Sequence, residues 1–295
     1  MKLSQMRNMV AVVERGSLRG AARHLNLAQP ALTRSIGALE RELGVTLFER
    51  QARGMKLTAA GQMFHRRASA VINEVRRAQE DLEQSGGDMR GTITVGLSIM
   101  PHLGMLPNAL PTFRRRYPQV SLKIIEGLYP AMEAGLQSGS IDFYLGASPR
   151  GDAADGLVTE TLFTNTRTVI GRRGHPLAAA TSIRDLAQAE WATTTLDFNA
   201  GTDLNELFAR YNMPPPVIAL QTHSALSVIV ALTSCDLLAI LPQQWNEFPL
   251  TRDVLQVIDI RETLPAPDIV LIRRPDLPLT PAADHFCDLL RRYAP

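Results

Sequence analysis

The sequence predicts an α/β chain in three parts: a small N-terminal domain of short helices with a β-hairpin, one long connecting helix, and two α/β lobes. Three observations predict it. Apolar residues recur at helical spacing through residues 2–43, interrupted at Gly16 and at Asn26-Leu27. Phe64, Ala68, Val71, Val75, Ala78 and Leu82 then follow one another at spacings of 4, 3, 4, 3 and 4 along one unbroken tract. From Thr92 onwards, strand-like runs alternate with helical ones.

The first helix spans residues 2–15, with Leu3, Met6, Val10 and Val13 on its apolar side. Gly16 suits a left-handed cap, and Ser17 suits the N-cap of a second helix over residues 18–25. Ala21 and Ala22 are small where another helix must come close. The third helix opens at Gln29, with Pro30 in its first turn, where a missing N–H costs nothing. Leu32, Ile36, Leu39 and Leu43 form its apolar stripe; Pro30, Thr33, Arg34, Gly37 and Arg41 lie opposite. Gly37 in mid-helix costs about 1 kcal/mol relative to Ala, a loss that makes sense where a large partner approaches the backbone. Two cramped helices with one polar face read as a helix-turn-helix shaped for the major groove of DNA.

In "VTLFERQARGMKLTAAG", Leu47 and Phe48 point inward and Arg53-Gly54 offers a turn. This reads as a β-wing presenting Arg50, Arg53 and Lys56 to phosphates, and it completes a DNA-binding domain over residues 1–58. The helix after it, from about Ala59 to Gln84 within a linker over 59–91, is roughly 40 Å long at 1.5 Å per residue. Nothing nearby in sequence offers to cover its heptad seam, so the seam reads as a dimer interface, and "QSGGDMRG" as a flexible hinge.

Residues 92–295 carry "TITVGL", "VSLKIIEG" and "IDFYLGA" as strands with helices between them. A second series follows in "TVIGRR", "EWATTT", "VIAL" and "LLAIL", then "DIVLIRR" and a closing helix "PAADHFCDLLRRY". The order predicts mainly parallel sheets in two lobes, lobe I at about 92–163 and 268–295 and lobe II at about 164–267, with the last helix covering lobe I.

Charge is placed unevenly. Residues 1–90 hold 15 Lys and Arg against 9 Asp and Glu, and the remainder holds 16 against 20. A basic front part suits a polyanion partner. No apolar run reaches the roughly 20 residues that span a bilayer, and Arg7, Glu14 and Arg15 interrupt any signal-peptide core, so a cytoplasmic protein without a membrane partner is expected. Cys235 and Cys287 read as two buried thiols in a reducing compartment. An enzyme is the first rival reading, but there is no Walker loop, dinucleotide fingerprint or nucleophile elbow. Histidines 24, 65, 102, 175, 223 and 285 lack metal-ligand spacing, so neither metal nor cofactor is expected. A solute-binding transport protein, the second rival, would not need the DNA-reading front end.

With these residues in place, the stretch "GSLRGAARHLNLAQPALTRSIGALERELGVTLFERQARGMKLTAAG" resembles the LysR-type transcriptional regulators nearly position for position, and a weaker resemblance extends over the whole chain. The resemblance implies a winged helix-turn-helix, a dimerising linker helix and a periplasmic-binding-protein-like effector domain. It also implies tetramers built as pairs of dimers on an interrupted palindromic DNA site. Gln29, Pro30, Thr33 and Arg34 match positions that face bases and phosphates, with Ser17 and Arg19 beside them. One departure stands out: the family places Ser or Thr before the Gln-Pro, and here that residue is Ala28, which cannot cap by its side chain at a usual cost of about 1 kcal/mol.

The effector site is expected at the carboxyl ends of the strands, between the lobes. Those ends bring Ser98, Met100 and Pro101, then Leu128 and Tyr129, then Ala147 from lobe I, and Thr195, His223 and Pro242 from lobe II. Ser98 and Thr195 are candidates to hydrogen-bond a carboxylate or sulfonate, while Tyr129, Phe198 and Met100 suit an apolar slot. Such a set is compatible with a small organic anion, aromatic acids included.

Overall fold

Met9 and Val12 are fully buried in helix α1 (Leu3–Arg15) and anchor the N-terminal core. The expected stripe is therefore rotated: of Leu3, Met6, Val10 and Val13, only Met6 is buried. The cause is that α1 is covered on two sides, by the next two helices and by the long linker helix, so its apolar face is wider than a single stripe. The structure, a computed structural model, describes residues 1–51, 54–85, 90–194, 202–222, 224–264 and 266–295.

Gly16 ends α1 at φ +66°, and Ser17 Oγ accepts the Gly20 N–H at 3.1 Å to start α2 (Leu18–His24). Helix α3 (Gln29–Leu43) buries Leu32, Ile36 and Leu39 and has no side-chain cap at Ala28. Strands β1 (Phe48–Gln51) and β2 (Gly54–Leu57) pair antiparallel as the wing. The Met55 N–H donates to the Gly16 carbonyl at 3.2 Å, and a Cβ at Gly54 would stand 2.5 Å from that same oxygen. Gly54 also has φ +130°, so the wing can seat on the α1–α2 turn only with glycine there.

Helix α4 (Ala59–Ser85) is not a free rod. Phe64 packs into the N-terminal core and Ala68 is 1% exposed, so these two members of the expected seam are used within the chain. Val71, Ala78 and Leu82 remain exposed and Val75 half-buried. The opposite face of the C-terminal half docks on lobe I. Asn73 Nδ2 donates to the Ser138 carbonyl at 2.8 Å, Arg77 pairs with Asp142 at 2.8 Å, and the Gln84 side chain accepts the Ala282 N–H at 3.1 Å. Of the expected hinge, residues 86–89 lie outside the described residues, and Gln84 beside them is buried and donates to the Arg90 carbonyl.

Lobe I runs through β3 (Gly91–Leu97), α5 (Ile99–Gly104), α6 (Leu106–Arg116), β4 (Val120–Glu126), α7 (Tyr129–Ser138), β5 (Phe143–Ala147) and β6 (Val158–Thr164). Lobe II holds β7 (Arg167–Arg172), a 3-10 turn (Ile183–Leu186), β8 (Glu190–Thr194), α8 (Thr202–Arg210), β9 (Val217–Thr222), α9 (Ala225–Ser234), β10 (Leu237–Pro242), α10 (Gln244–Glu247) and β11 (Leu255–Ile258). The chain then returns to lobe I through β12 (Asp268–Arg273) and α11 (Pro281–Arg292). The sheet orders are β4-β3-β5-β12-β6 and β11-β7-β10-β8-β9.

Each sheet is mixed rather than mainly parallel, which corrects the expectation. In lobe I, β12 runs antiparallel to β5 and β6; in lobe II, β7 runs antiparallel to β10 and β11. The reversal comes with the crossings between lobes, because a strand entering from the neighbouring lobe arrives without a right-handed helical crossover. Strand β6 has no counterpart among the expected strands, since an exposed edge strand with Glu160 and three threonines carries little apolar signal. The last helix does cover lobe I: Phe286 packs against Phe113 with ring centres 4.9 Å apart. Lobe II closes over Trp191 and Phe208, edge to face at 5.8 Å. Ile99 and Leu103 of α5 reach across to the lobe II cluster around Trp245, so α5 belongs to lobe I in sequence and touches both in space.

Candidate DNA interface and ligand cleft

The polar side of α3 is open. Gln29, Pro30, Arg34 and Arg41 are exposed, with Thr33 and Gly37 half-buried between them. Thr33 Oγ1 donates to the Gln29 carbonyl at 3.0 Å, which fixes its rotamer and leaves the oxygen able to accept. Among the described residues, a Cβ on Gly37 would meet only Arg41 Nη1, at 3.6 Å, so no described neighbour requires glycine there. Arg19 on α2 and Lys56 on the wing are also exposed, whereas the Ser17 hydroxyl is occupied as the α2 cap. The Arg50 side chain and Arg53 lie outside the described residues.

Two contacts that sequence reasoning does not single out hold this face in place. Glu40 Oε1 accepts the N–H groups of Leu47 at 2.7 Å and Phe48 at 3.2 Å, tying α3 to the wing. Asn8 Nδ2 donates to Ser35 Oγ at 2.7 Å, tying α3 to α1. A polar residue on a helix flank gives no sign in sequence of which backbone it will serve.

Between the lobes lies a cleft of about 880 Å³. Ser98, Met100, Leu128, Tyr129, Ala147 and Pro242 of the expected set line it, while Pro101 is buried and does not. Thr195, Phe198 and His223 lie outside the described residues. Ser98 is 3% exposed, and its Oγ accepts the Ala147 N–H at 3.3 Å. The Tyr129 hydroxyl accepts the Ala154 N–H at 2.7 Å, and its ring packs edge to face on Tyr144. Burial raises the Tyr129 phenol against that bond, so it stays neutral. Both residues are thus engaged by lobe I as well as facing the cleft.

The charged wall is what sequence reasoning misses. Arg150, Arg167, Asp152, Asp203, Glu126 and Glu133 all line the cleft. Asp203 of α8 pairs closely with Arg150 of lobe I and stands 3.8 Å from Arg167 of its own lobe. Arg167 opens β7, and the rule that ligands sit at carboxyl ends of strands overlooks it. Because β7 runs antiparallel to β10, with Pro242 opposite Arg167, its amino end lies where its neighbour's carboxyl end does. Burial pulls the Arg167 guanidinium below its ordinary pKa, against the Asp203 carboxylate.

Among the described residues, no group of three His, Cys, Asp or Glu side chains could hold a metal ion, and no helix is long and apolar enough to cross a membrane. Cys287 is buried, which pushes its thiol up to about 12, but Cys235 is exposed, against the expectation of two buried thiols.

A helix-turn-helix head joined through a long helix to a two-lobed domain with a ligand-sized cleft defines a class of protein: a ligand-responsive DNA-binding regulator. Residues 3–62 match the family description "Bacterial regulatory helix-turn-helix protein, lysR family", and residues 86–295 match "LysR substrate binding domain". The chain belongs to the LysR family of transcriptional regulators. Among similar proteins, the HTH-type transcriptional regulator GalR of Pseudomonas putida is 28% identical over 275 residues, 93% of this chain and 69% of that one. The uncharacterised HTH-type transcriptional regulator YdcI of Escherichia coli is 32% identical over 176 residues, 60% of this chain and 57% of that one. In fold, the chain matches a full-length OxyR variant of Pseudomonas aeruginosa with a TM-score of 0.72 at 22% identity, over 99% of this chain and 95% of that one. It matches CbnR with a TM-score of 0.69 at 23% identity, over the full length of both. The proteins matched are regulators rather than enzymes.

Proposed function

We propose that the chain reads an interrupted palindromic site in duplex DNA as a homo-oligomer, and that a small organic anion, aromatic acids included, binds the inter-lobe cleft and changes that reading. The observation that carries it is the division of α3: Leu32, Ile36 and Leu39 are spent on the core, while Gln29, Pro30, Arg34 and Arg41 stand free on the other side. The solved complex of CbnR with its target DNA supports the same use of a similar head. The exposed run of Val71, Ala78 and Leu82, with Val75 beside it, supports pairing of two copies along α4, and two such pairs would make a tetramer. A regulator of DNA in which no helix among the described residues is long and apolar enough to cross a membrane fits a cytoplasmic place, and the reading calls for no cofactor.

The domain limits of the reading are 1–58 for DNA, 59–91 for pairing and 92–295 for the effector. In the cleft, Ser98, Met100, Leu128, Tyr129, Ala147 and Pro242 are the described members of the expected set that line the wall. A DNA mobility-shift assay of the full chain, followed by a thermal-shift screen of organic acids, tests both halves. The expected result is a retarded duplex and at least one acid that raises the melting temperature and moves the shift. Failure to retard any duplex would sink the DNA half; indifference to every acid would sink the effector half.

A further inference from the structure

We propose that the lobe II wall of the cleft holds a carboxylate subsite centred on Arg167, in which Asp203 serves as the stand-in for the carboxylate of a small monoanionic acid. This rests on the reading of the cleft as the effector site and gives that site a chemical specificity.

Arg167 and Asp203 do not complete a good pair. Their nearest atoms are 3.8 Å apart, beyond hydrogen-bond distance, and the Arg167 side chain is only 25% exposed. Arg167 Nε is buried and has no partner among the described residues. Thr193 Oγ1 and Trp191 Nε1, on cleft-lining residues of β8, are likewise buried without one. A guanidinium is planar and suited to a carboxylate through two parallel N–H bonds, so this one is set up for an anion that the chain does not fully supply. Asp203 is already held by Arg150 at the exposed rim, and can stay with it when a ligand takes Arg167. The remaining charged lining, Glu126, Glu133 and Asp152, is acidic, so it disfavours a phosphate dianion and favours a ligand with a single negative charge.

Acetate is the probe. Thermal unfolding of the full chain is followed in acetate and in chloride at equal ionic strength, for the wild type, Asp203→Ala and Asp203→Ala with Arg167→Met. Removing the stand-in should let acetate stabilise Asp203→Ala saturably, at about a tenfold lower concentration than the wild type needs. Adding Arg167→Met should abolish the response. Replacing both members of a charge pair by apolar side chains is often neutral for folding, and Asp203→Asn gives a second test in which the stand-in loses only its charge. No acetate response in Asp203→Ala and Asp203→Asn, or a response that survives Arg167→Met, overturns the subsite. The same preparations are assayed for DNA retention. Absence of an acetate response in both Asp203 variants with DNA retention intact removes the subsite alone, whereas absence of DNA binding with the Arg167-dependent acetate response intact removes the regulator reading alone.

Discussion

Arg77 of the linker helix and Asp142 at the head of β5 form an ion pair at 2.8 Å, with each side chain only 4% exposed. Burial pulls the guanidinium pKa down and pushes the carboxyl pKa up, each against the attraction of the partner. The Arg77 Nη2 also donates to the Gly139 carbonyl at 3.1 Å, and an Asp142 oxygen accepts the Thr94 N–H at 2.7 Å. The pair therefore fastens the linker helix α4 to lobe I.

Breaking one side leaves a buried charge without its partner. Asp142→Asn should destabilise the chain by about 3–5 kcal/mol, read from urea unfolding. Combining it with Arg77→Met should recover much of that loss. An unchanged urea midpoint in Asp142→Asn would show that the pair does not hold the two elements.

Arg34 is exposed on the α3 face opposite the buried stripe. Arg34→Ala should weaken DNA binding while leaving the oligomer intact. A lost base contact would cost about 1–3 kcal/mol and relax sequence preference, and a lost phosphate contact would lower the salt slope by about one. A salt titration identical to wild type would remove Arg34 from the interface.

Gly37 separates folding from reading. Among the described residues nothing needs a glycine there, so Gly37→Ala should raise the stability of the free protein by about 1 kcal/mol through helix propensity. The same methyl should reduce DNA affinity by meeting the duplex. If stability and affinity rise together, the glycine does not face DNA.

Val71 is 44% exposed and Val75 half-buried in a single chain, so changing them should spare the monomer fold. Val71→Glu with Val75→Glu should give monomers, because four carboxylates cannot be buried unpaired along one seam. Those monomers should bind DNA poorly, having lost the linkage of two half-sites. Sedimentation of an intact dimer would refute the seam.

The DNA-reading head is legible in the sequence because its signals are local: Gly16, Ser17, Pro30 and the 3–4 spacing of Leu32, Ile36 and Leu39 act within a few residues of themselves. The heptad of α4 is legible too, but its sharing is not. Phe64 packs into the core of the head and Ala68 is buried within the chain, and no periodicity says which neighbour takes which turn. In the lobes, alternating strands and helices announce the layers, whereas the reversed strands β7 and β12 depend on where the chain crosses between lobes. Arg167 and Asp203 escape a sequence reading for the same reason: 36 residues apart in sequence, they meet only through that reversal.

The most direct measurement is selection of random duplex DNA by the full-length chain, with the bound fraction sequenced, for the wild type and for Arg34→Ala. The account predicts that the wild type enriches one interrupted palindrome with two equivalent half-sites, and that Arg34→Ala loses or blurs that enrichment without losing its oligomeric state. Enrichment of no sequence by the wild type, or of the same sequence to the same degree by Arg34→Ala, would contradict it.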